Sequence, residues 1–160
     1  MRFSLIDRIT DLQPGQSITA CKNLSLAEEY LADHFPSAPV MPGVLMLEAL
    51  IQTGAWLVRV TDEFAHSLVL LQQANSVKYA NFVEPGQTLQ ITATWMSRDG
   101  DCTKLKAQGT VDGKVAVSGR LVLRSSNLAD ANPAQAGHDA FARQMLRQWY
   151  GIMRKEESAA

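Results

Sequence analysis

Two side chains able to transfer protons, His34 and Glu48, flank a segment rich in proline, HFPSAPVMPGVLMLE. The three prolines of this segment remove backbone donors and favour an extended, rigid path from the histidine to Gly43. Such a path would place the imidazole beside the start of the helix that Gly43 begins. The pattern therefore indicates a general base next to a helix N-terminus, although most histidines are structural and that alternative stays open.

The first N–H groups of the predicted helix belong to Gly43 and Val44. These donors have no acceptor within the helix, and the positive end of the helix dipole favours negative charge near them. We therefore expect the Gly43 and Val44 N–H groups to bind a substrate oxygen on which negative charge develops.

Glu48 lies among apolar residues of the same helix, where an ionised carboxylate loses its hydration and its pKa is expected to rise. A glutamate that stays protonated is a proton donor suited to general acid catalysis. Gln52 lies one turn later on the same face, and we expect it to orient the carboxyl group by a hydrogen bond. An ordinary buried polar pair is the alternative.

The element that must position these residues is a helix predicted at 43–60, which is apolar on nearly every side. Pro42, Gly43 and Glu48 within the apolar stretch 40–58 argue against a membrane span, as does the lack of a flanking basic cluster. The helix is instead expected to be wrapped by protein.

Alternating apolar and polar residues predict strands at 18–24, 67–74, 75–83, 88–96, 103–111 and 114–124. The pairs Asp99-Gly100 and Asp112-Gly113 suit tight hairpin turns, so the last three strands should form an antiparallel meander. These elements predict an α+β hotdog fold, in which one antiparallel sheet wraps around a long central helix. Because one sheet cannot cover that helix, we expect at least a dimer.

The chain after position 124 differs in composition from the predicted hotdog domain at 1–124. Residues 125–139 are small and polar and predict a linker, so 125–160 is interpreted as a linker and a C-terminal amphipathic helix. Phe141, Met145, Trp149 and Met153 recur on one face of that helix. A structural helix docked on its own or a neighbouring subunit is expected, and a helix for a partner or a membrane surface is the alternative.

Composition excludes several function classes. Fifteen basic and sixteen acidic residues leave no excess of positive charge for nucleic acid or an anionic membrane. Cys21 and Cys102 stand far apart without a CxxC pair, which supports neither a zinc site nor a disulfide framework. Charged residues arrive early in MRFSLIDRITD, so no secretory signal is expected, and a cytoplasmic location follows.

The segment from His34 to Glu48, extended as HFPSAPVMPGVLMLEALIQ, resembles the signature of the FabZ-type (3R)-hydroxyacyl-[acyl-carrier-protein] dehydratases of the hotdog superfamily. The flanks DRITDLQPGQSITACKNLS and NFVEPGQTL are similar to that family as well, so the resemblance covers 6–124. A glutamate at position 48, where the isomerising sister enzymes carry aspartate, favours the plain dehydratase branch.

The resemblance implies elimination of water from a 3-hydroxyacyl thioester to give a trans-2-enoyl thioester. It implies His34 as the base, the Gly43 N–H at the thioester oxygen and Glu48 as the acid, with the two side chains of one site contributed by different subunits. The implied partners are an acyl carrier protein or coenzyme A and further copies of the chain, as a homodimer or a trimer of dimers. No metal, nucleotide or flavin cofactor is implied.

The sequence also departs from the family pattern. Asp33 and Ser37 stand where glycines are usual, and the usually basic segment before Pro85-Gly86 lacks two positive charges and a proline. Because acyl carrier proteins are acidic, this departure weakens the expected docking surface. This departure and the additional C-terminal helix leave a non-catalytic acyl-binding or assembly subunit open as an alternative. A hotdog thioesterase is the other alternative, and the spacing from His34 to Glu48 argues against it.

Overall fold

The computed structural model describes residues 3–35 and 37–154. The described chain forms six strands and two α-helices: β1 (Arg8–Gln13), β2 (Ser17–Asn23), α1 (Gly43–Thr61), β3 (Leu68–Tyr79), β4 (Thr88–Asp99), β5 (Cys102–Val111), β6 (Lys114–Ser126) and α2 (Ala136–Met153). Short 3-10 helices lie at Glu29–Leu31, Leu128–Asp130 and Pro133–Gln135.

The six strands form one antiparallel sheet in the order β1-β2-β4-β5-β6-β3. Helix α1 packs against β2, β3, β4, β5 and β6, which confirms the prediction of a sheet around a central helix. The β4-β5-β6 meander is also as predicted. Its turns place Gly100, Asp112 and Gly113 at φ values of 57°, 50° and 77°, a region that Asp-Gly pairs tolerate.

Two details of the strand prediction are wrong. The segments 67–74 and 75–83 are one strand, β3, whose pairing with β6 shifts register after Leu71 and again after Asn75. These irregularities interrupt the alternation and make one strand look like two. Strand β1, RITDLQ, is not among the predicted strands because only two of its side chains are buried, which leaves little alternation to detect.

By length and composition, α1 is the one described helix that could cross a membrane. Half of its most apolar window is buried inside the fold, as is typical of a core helix. Its close approach to the sheet depends on Gly54, where an added Cβ would lie 2.6 Å from Cδ1 of Leu105 and 3.3 Å from Cδ1 of Leu123. Glycine at this position therefore sets the distance between helix and sheet.

We expect Gly54→Val to lower the free energy of unfolding by about 1–3 kcal/mol, because the added methyl groups push α1 away from β5 and β6. Denaturant titration monitored by circular dichroism measures the change. Gly151→Val is the matched control, since an added Cβ on that exposed part of α2 meets nothing within 4 Å. Equal stability of the two variants would show that helix and sheet are not in tight contact at Gly54.

Helix α2 docks on its own subunit, at the C-terminal half of α1. The Tyr150 ring stacks on Trp56 with 6.3 Å between centroids and meets Phe64 edge-on at 5.8 Å. Met153 is buried, and Arg147 donates a hydrogen bond of 3.1 Å to the carbonyl oxygen of Glu63. The placement of Phe141 on the buried face is wrong: this residue, the sixth of the helix, is 64% exposed.

The segment predicted as a linker contains the end of β6 and two 3-10 helices, and Asp139 ties it to the fold. The buried Asp139 carboxylate accepts hydrogen bonds from the Ser67 hydroxyl, from Leu128 N at 2.8 Å and from Ala129 N at 2.9 Å. Burial alone would raise the pKa of Asp139, but these hydrogen bonds and nearby Arg143 hold it below its ordinary value of 3.8.

Asp139→Asn should lower Tm by several degrees at neutral pH, because the amide cannot accept three hydrogen bonds with the strength of a carboxylate. A depressed pKa stabilises the fold above the ordinary pKa, and this contribution is lost as pH falls through the lowered value. The Tm difference between the two proteins should therefore shrink below about pH 4. Asp112→Asn, at the exposed β5-β6 turn, is the control, and a pH-independent Tm difference for Asp139→Asn would contradict this account.

Candidate active site

His34 is half-buried and lines a cavity at the N-terminal end of α1. Its imidazole meets the Phe35 ring edge-on, with 4.5 Å between centroids. The other residues that line this cavity come from the segment before α1, from the start of α1, and from the end of β3 and the residues after it: Val40, Met41, Gly43, Met46, Tyr79, Ala80, Asn81 and Phe82. We call it the His34 cavity.

The backbone that follows His34 does not take the predicted extended path. Phe35 has a left-handed φ of 51°, and its carbonyl oxygen accepts a hydrogen bond of 2.8 Å from Ala38 N, which closes a turn. Pro36 lies outside the described residues. Further along, Met41 N donates to the Val83 carbonyl oxygen at 2.9 Å, which fixes the strand-like approach to α1. A turn directly after the histidine therefore replaces the extended path that the prolines predicted.

Helix α1 begins at Gly43, as predicted, with Pro42 as its N-cap. The Pro42 carbonyl oxygen accepts hydrogen bonds from Leu45 N at 2.9 Å and Met46 N at 3.1 Å. The N–H groups of Gly43 and Val44 precede these bonds. Of the two, only Gly43 lines the His34 cavity, while the Val44 side chain is 70% exposed.

Glu48 lines a second cavity, which we call the Glu48 cavity, and is half-buried rather than enclosed as expected. Its immediate neighbours Leu47 and Ala49 do not line this cavity, whereas Ile51, one turn further along the helix, does. The remaining lining residues come from the N-terminal segment, α1, β3 and α2: Phe3, Ser4, Ile51, Gln52, Ala55, Trp56, Arg59, Val69, Leu70, Leu71, Trp149 and Met153.

Gln52 makes the hydrogen bond that its spacing suggested. Its Nε2 donates to Glu48 Oε1 at 3.0 Å and to the Phe3 carbonyl oxygen at 3.2 Å. Its Oε1 accepts from Leu5 N at 2.9 Å. Because both ends of the amide are held by the backbone of the N-terminal segment, Gln52 has a fixed orientation and in turn fixes the Glu48 carboxyl group.

Within the described chain, His34 and Glu48 are not brought into one cavity. Met46 lines the His34 cavity and lies two residues before Glu48, which at about 100° per residue puts the two side chains on nearly opposite faces of α1. The two cavities have no lining residue in common. In each chain, the predicted base His34 therefore lies on one side of α1 and the predicted acid Glu48 on the other.

Several lining residues were not anticipated from the sequence. Tyr79 covers the helix start, because a Cβ added to Gly43 would lie 3.2 Å from its ring. Arg59 lies on the same helical stripe as Glu48, and that spacing alone could have identified it. Trp149 carries no such signal, since the docking of α2 is a long-range contact. In addition to the docking expected of the C-terminal helix, α2 lines this cavity through Trp149 and Met153.

In the part of the chain that the structure describes, no group of three or more His, Cys, Asp or Glu side chains is arranged to hold a metal ion. A family model for the FabA-like domain matches residues 1–120. The chain belongs to the FabA-like family. The match ends before α2, so this FabA-like chain carries its C-terminal helix beyond the matched region.

Curated relatives of this FabA-like chain bear the name 3-hydroxyacyl-[acyl-carrier-protein] dehydratase FabZ. The protein from Janthinobacterium sp. (strain Marseille) is 38% identical over 81% of this chain and 85% of its own length. The protein from Lactococcus lactis subsp. cremoris (strain MG1363) is 41% identical over 74% of this chain and 82% of its own length. The resemblance to FabZ-type dehydratases is thereby confirmed.

Solved structures with low sequence identity share the fold. The dehydratase heterocomplex ApeI:P from Xenorhabdus doucetiae aligns with a TM-score of 0.66 at 17% identity, over 83% of this chain and 90% of that one. The structure of smu.793 from Streptococcus mutans UA159 bound to acetyl CoA aligns with a TM-score of 0.61 at 12% identity, over 79% and 92%. Both support the hotdog fold of the FabA-like chain.

Proposed function

We propose that this FabA-like protein dehydrates (3R)-3-hydroxyacyl thioesters of an acyl carrier protein to trans-2-enoyl thioesters, in the cytoplasm, as a step of fatty-acid or related lipid synthesis. The observation that carries this proposal is the Glu48 carboxyl group, held by Gln52 at 3.0 Å and directed into a mostly apolar cavity. A carboxyl group placed in this way suits proton donation to a hydroxyl group on an apolar acyl chain.

The proposed reaction divides its proton transfers between the two cavities. The His34 imidazole removes a proton from C2 of the substrate, and the electron pair forms the C2–C3 double bond while the C3–O bond breaks. Glu48, protonated, gives its proton to the departing hydroxyl group, which leaves as water. The Gly43 N–H, at the positive end of α1, stabilises the negative charge that develops on the thioester oxygen.

Because the two cavities lie on opposite faces of α1, we propose that one active site joins the His34 cavity of one subunit to the Glu48 cavity of another. Strand β3 supports this arrangement, since it is the edge of the sheet and lines both cavities. Leu70 and Leu71, near its start, line the Glu48 cavity, and Tyr79, at its end, lines the His34 cavity. Antiparallel pairing of two β3 edges would therefore bring unlike cavities together.

The exposed side chains of the edge strand agree with such pairing. Leu70 is 57% exposed, Leu71 38% and Tyr79 50%, an apolar edge that a soluble monomer would leave open to association. We therefore propose a homodimer, or a trimer of dimers, as the active form.

Absorbance of the enoyl thioester, followed with carrier-linked and coenzyme A-linked 3-hydroxyacyl substrates, tests the proposed reaction. Formation of the enoyl product, and its hydration in the reverse direction, is the expected result. Release of free thiol without enoyl product would indicate a thioesterase instead. Tight acyl-thioester binding without either reaction would indicate a non-catalytic subunit, and both of these outcomes overturn the proposal.

A further inference from the structure

The family-matched part of the chain does not complete the wall of the Glu48 cavity. Trp149 and Met153 of α2 also line this cavity, and both lie beyond the matched residues 1–120. Helix α2 is held in place there by Tyr150 against Trp56 and by Arg147 at the Glu63 carbonyl oxygen. Trp56 lies in the C-terminal half of α1 and also lines the cavity, and Glu63 lies just beyond the end of α1.

The cavity follows one stripe of α1. Glu48, Gln52, Ala55 and Arg59 recur at the spacing that places side chains on one helical face, and all four line the cavity. At 1.5 Å per residue, Arg59 lies about 16 Å along the axis from Glu48. An acyl chain whose C3 hydroxyl group meets Glu48 would therefore extend toward Arg59.

The end of the Glu48 cavity at Arg59 contains a buried hydrogen-bond donor without a partner in the described chain. The Arg59 guanidinium lies over the Trp56 ring, 5.1 Å from its centroid, and its buried Nε has no hydrogen-bond partner in the described chain. Burial lowers the pKa of Arg59 to about 10. Glu48, at the opposite end, is the one acid among the described lining residues. A desolvated donor without a partner is costly, and an acceptor from a ligand would remove that cost.

We propose that Arg59, beside Trp56, forms a subsite for the end of the acyl group in the cavity that Trp149 and Met153 help to line, and that this subsite selects acyl groups bearing a carbonyl or carboxylate oxygen there. The inference rests on the proposed function, because Glu48 is taken to mark the position of C3. A methyl end would leave the Arg59 Nε unpaired, whereas an oxygen would accept a charge-assisted hydrogen bond from it. Trp149 and Met153 of α2 line the same cavity.

The test compares pairs of 3-hydroxyacyl thioesters of equal length, one ending in a methyl group and one in a ketone or carboxylate. The natural protein should favour the oxygen-bearing member of a pair by roughly tenfold in kcat/KM, as for one hydrogen bond to a charged group. Arg59→Met should abolish that preference, and Arg59→Lys should keep part of it. Arg120→Met, at an exposed position on β6, is the control.

A second arm tests the wall that α2 provides. Trp149→Ala enlarges the cavity and should increase kcat/KM for acyl groups longer than the natural optimum, while Phe141→Ala, at an exposed position of the same helix, should not. The subsite is overturned if Arg59→Met keeps the preference for the oxygen-bearing substrate. It is also overturned if the natural protein shows no such preference.

Two measurements separate a failure of the subsite proposal from a failure of the proposed function. A 3-hydroxybutanoyl thioester is too short to reach Arg59, so its turnover reports the chemistry and the folding of each variant without the subsite. Calorimetric binding of the same thioester pairs measures the preference whether or not turnover occurs. Equal binding of both members of a pair overturns the subsite even in a protein that dehydrates the short substrate at full rate.

Discussion

His34→Ala and Glu48→Gln should each lower kcat/KM for 3-hydroxyacyl thioesters by about 10²-fold or more, because each removes a proton-transfer group. Both variants should stay folded. His34 is half-buried at the edge of a cavity, and the glutamine in Glu48→Gln retains an oxygen that can accept the 3.0 Å hydrogen bond from Gln52. Steady-state rates and circular dichroism spectra of the same preparations measure the two effects separately.

Matched controls use residues of the same type outside both cavities. His138→Ala changes an exposed histidine of α2, and Glu84→Gln changes an exposed glutamate before the Pro85-Gly86 turn. Neither control should alter kcat/KM by more than a small factor. Near-normal rates in His34→Ala or in Glu48→Gln would remove that residue from the mechanism.

Mixed dimers of the two inactive variants should regain about half of the natural activity, because one of their two sites then contains both native side chains. Differently tagged chains, co-expressed and isolated by two affinity steps, give such dimers. The result follows from the placement of the His34 and Glu48 cavities on opposite faces of α1. In the proposed dimer, assembled through β3, each site takes one cavity from each chain.

A second mixture distinguishes shared sites from sites contained within one chain. A dimer of the natural chain with the His34→Ala, Glu48→Gln double variant leaves each shared site with one native group, and it should be nearly inactive. If instead each chain carried a whole site, the double-variant mixture would keep about half of the activity and the mixture of single variants would have none. The two arrangements therefore predict opposite results from the same pair of preparations.

The sequence predicts well those features that depend on local chemistry. The Asp99-Gly100 and Asp112-Gly113 turns determine the order of β4, β5 and β6, and the start of α1 at Gly43 follows from the Pro-Gly pair. The Glu48–Gln52 hydrogen bond follows from helical spacing alone. Each of these features involves residues at most a few positions apart.

The features that were missed depend on contacts between distant segments. The environment of Glu48 was inferred from its neighbours along the chain, but the cavity that it lines is also formed by Val69 and Trp149, which lie far away in sequence. Periodicity gave α2 an apolar face without indicating what that face meets. The irregular register of β3, with Ser76 at a φ of 52°, likewise depends on pairing with β6 rather than on local preference.

The placement of the tryptophans gives the protein a built-in optical reporter. Trp56 and Trp149 line the Glu48 cavity, whereas Trp95, the third tryptophan, lies on β4 with the Arg98 guanidinium 4.8 Å from its ring centroid. Because indole emission depends on the polarity around the ring, an acyl group entering the cavity changes the emission of two tryptophans and leaves the third as an internal reference. Occupancy of the acyl cavity can therefore be followed by intrinsic fluorescence in the unlabelled protein.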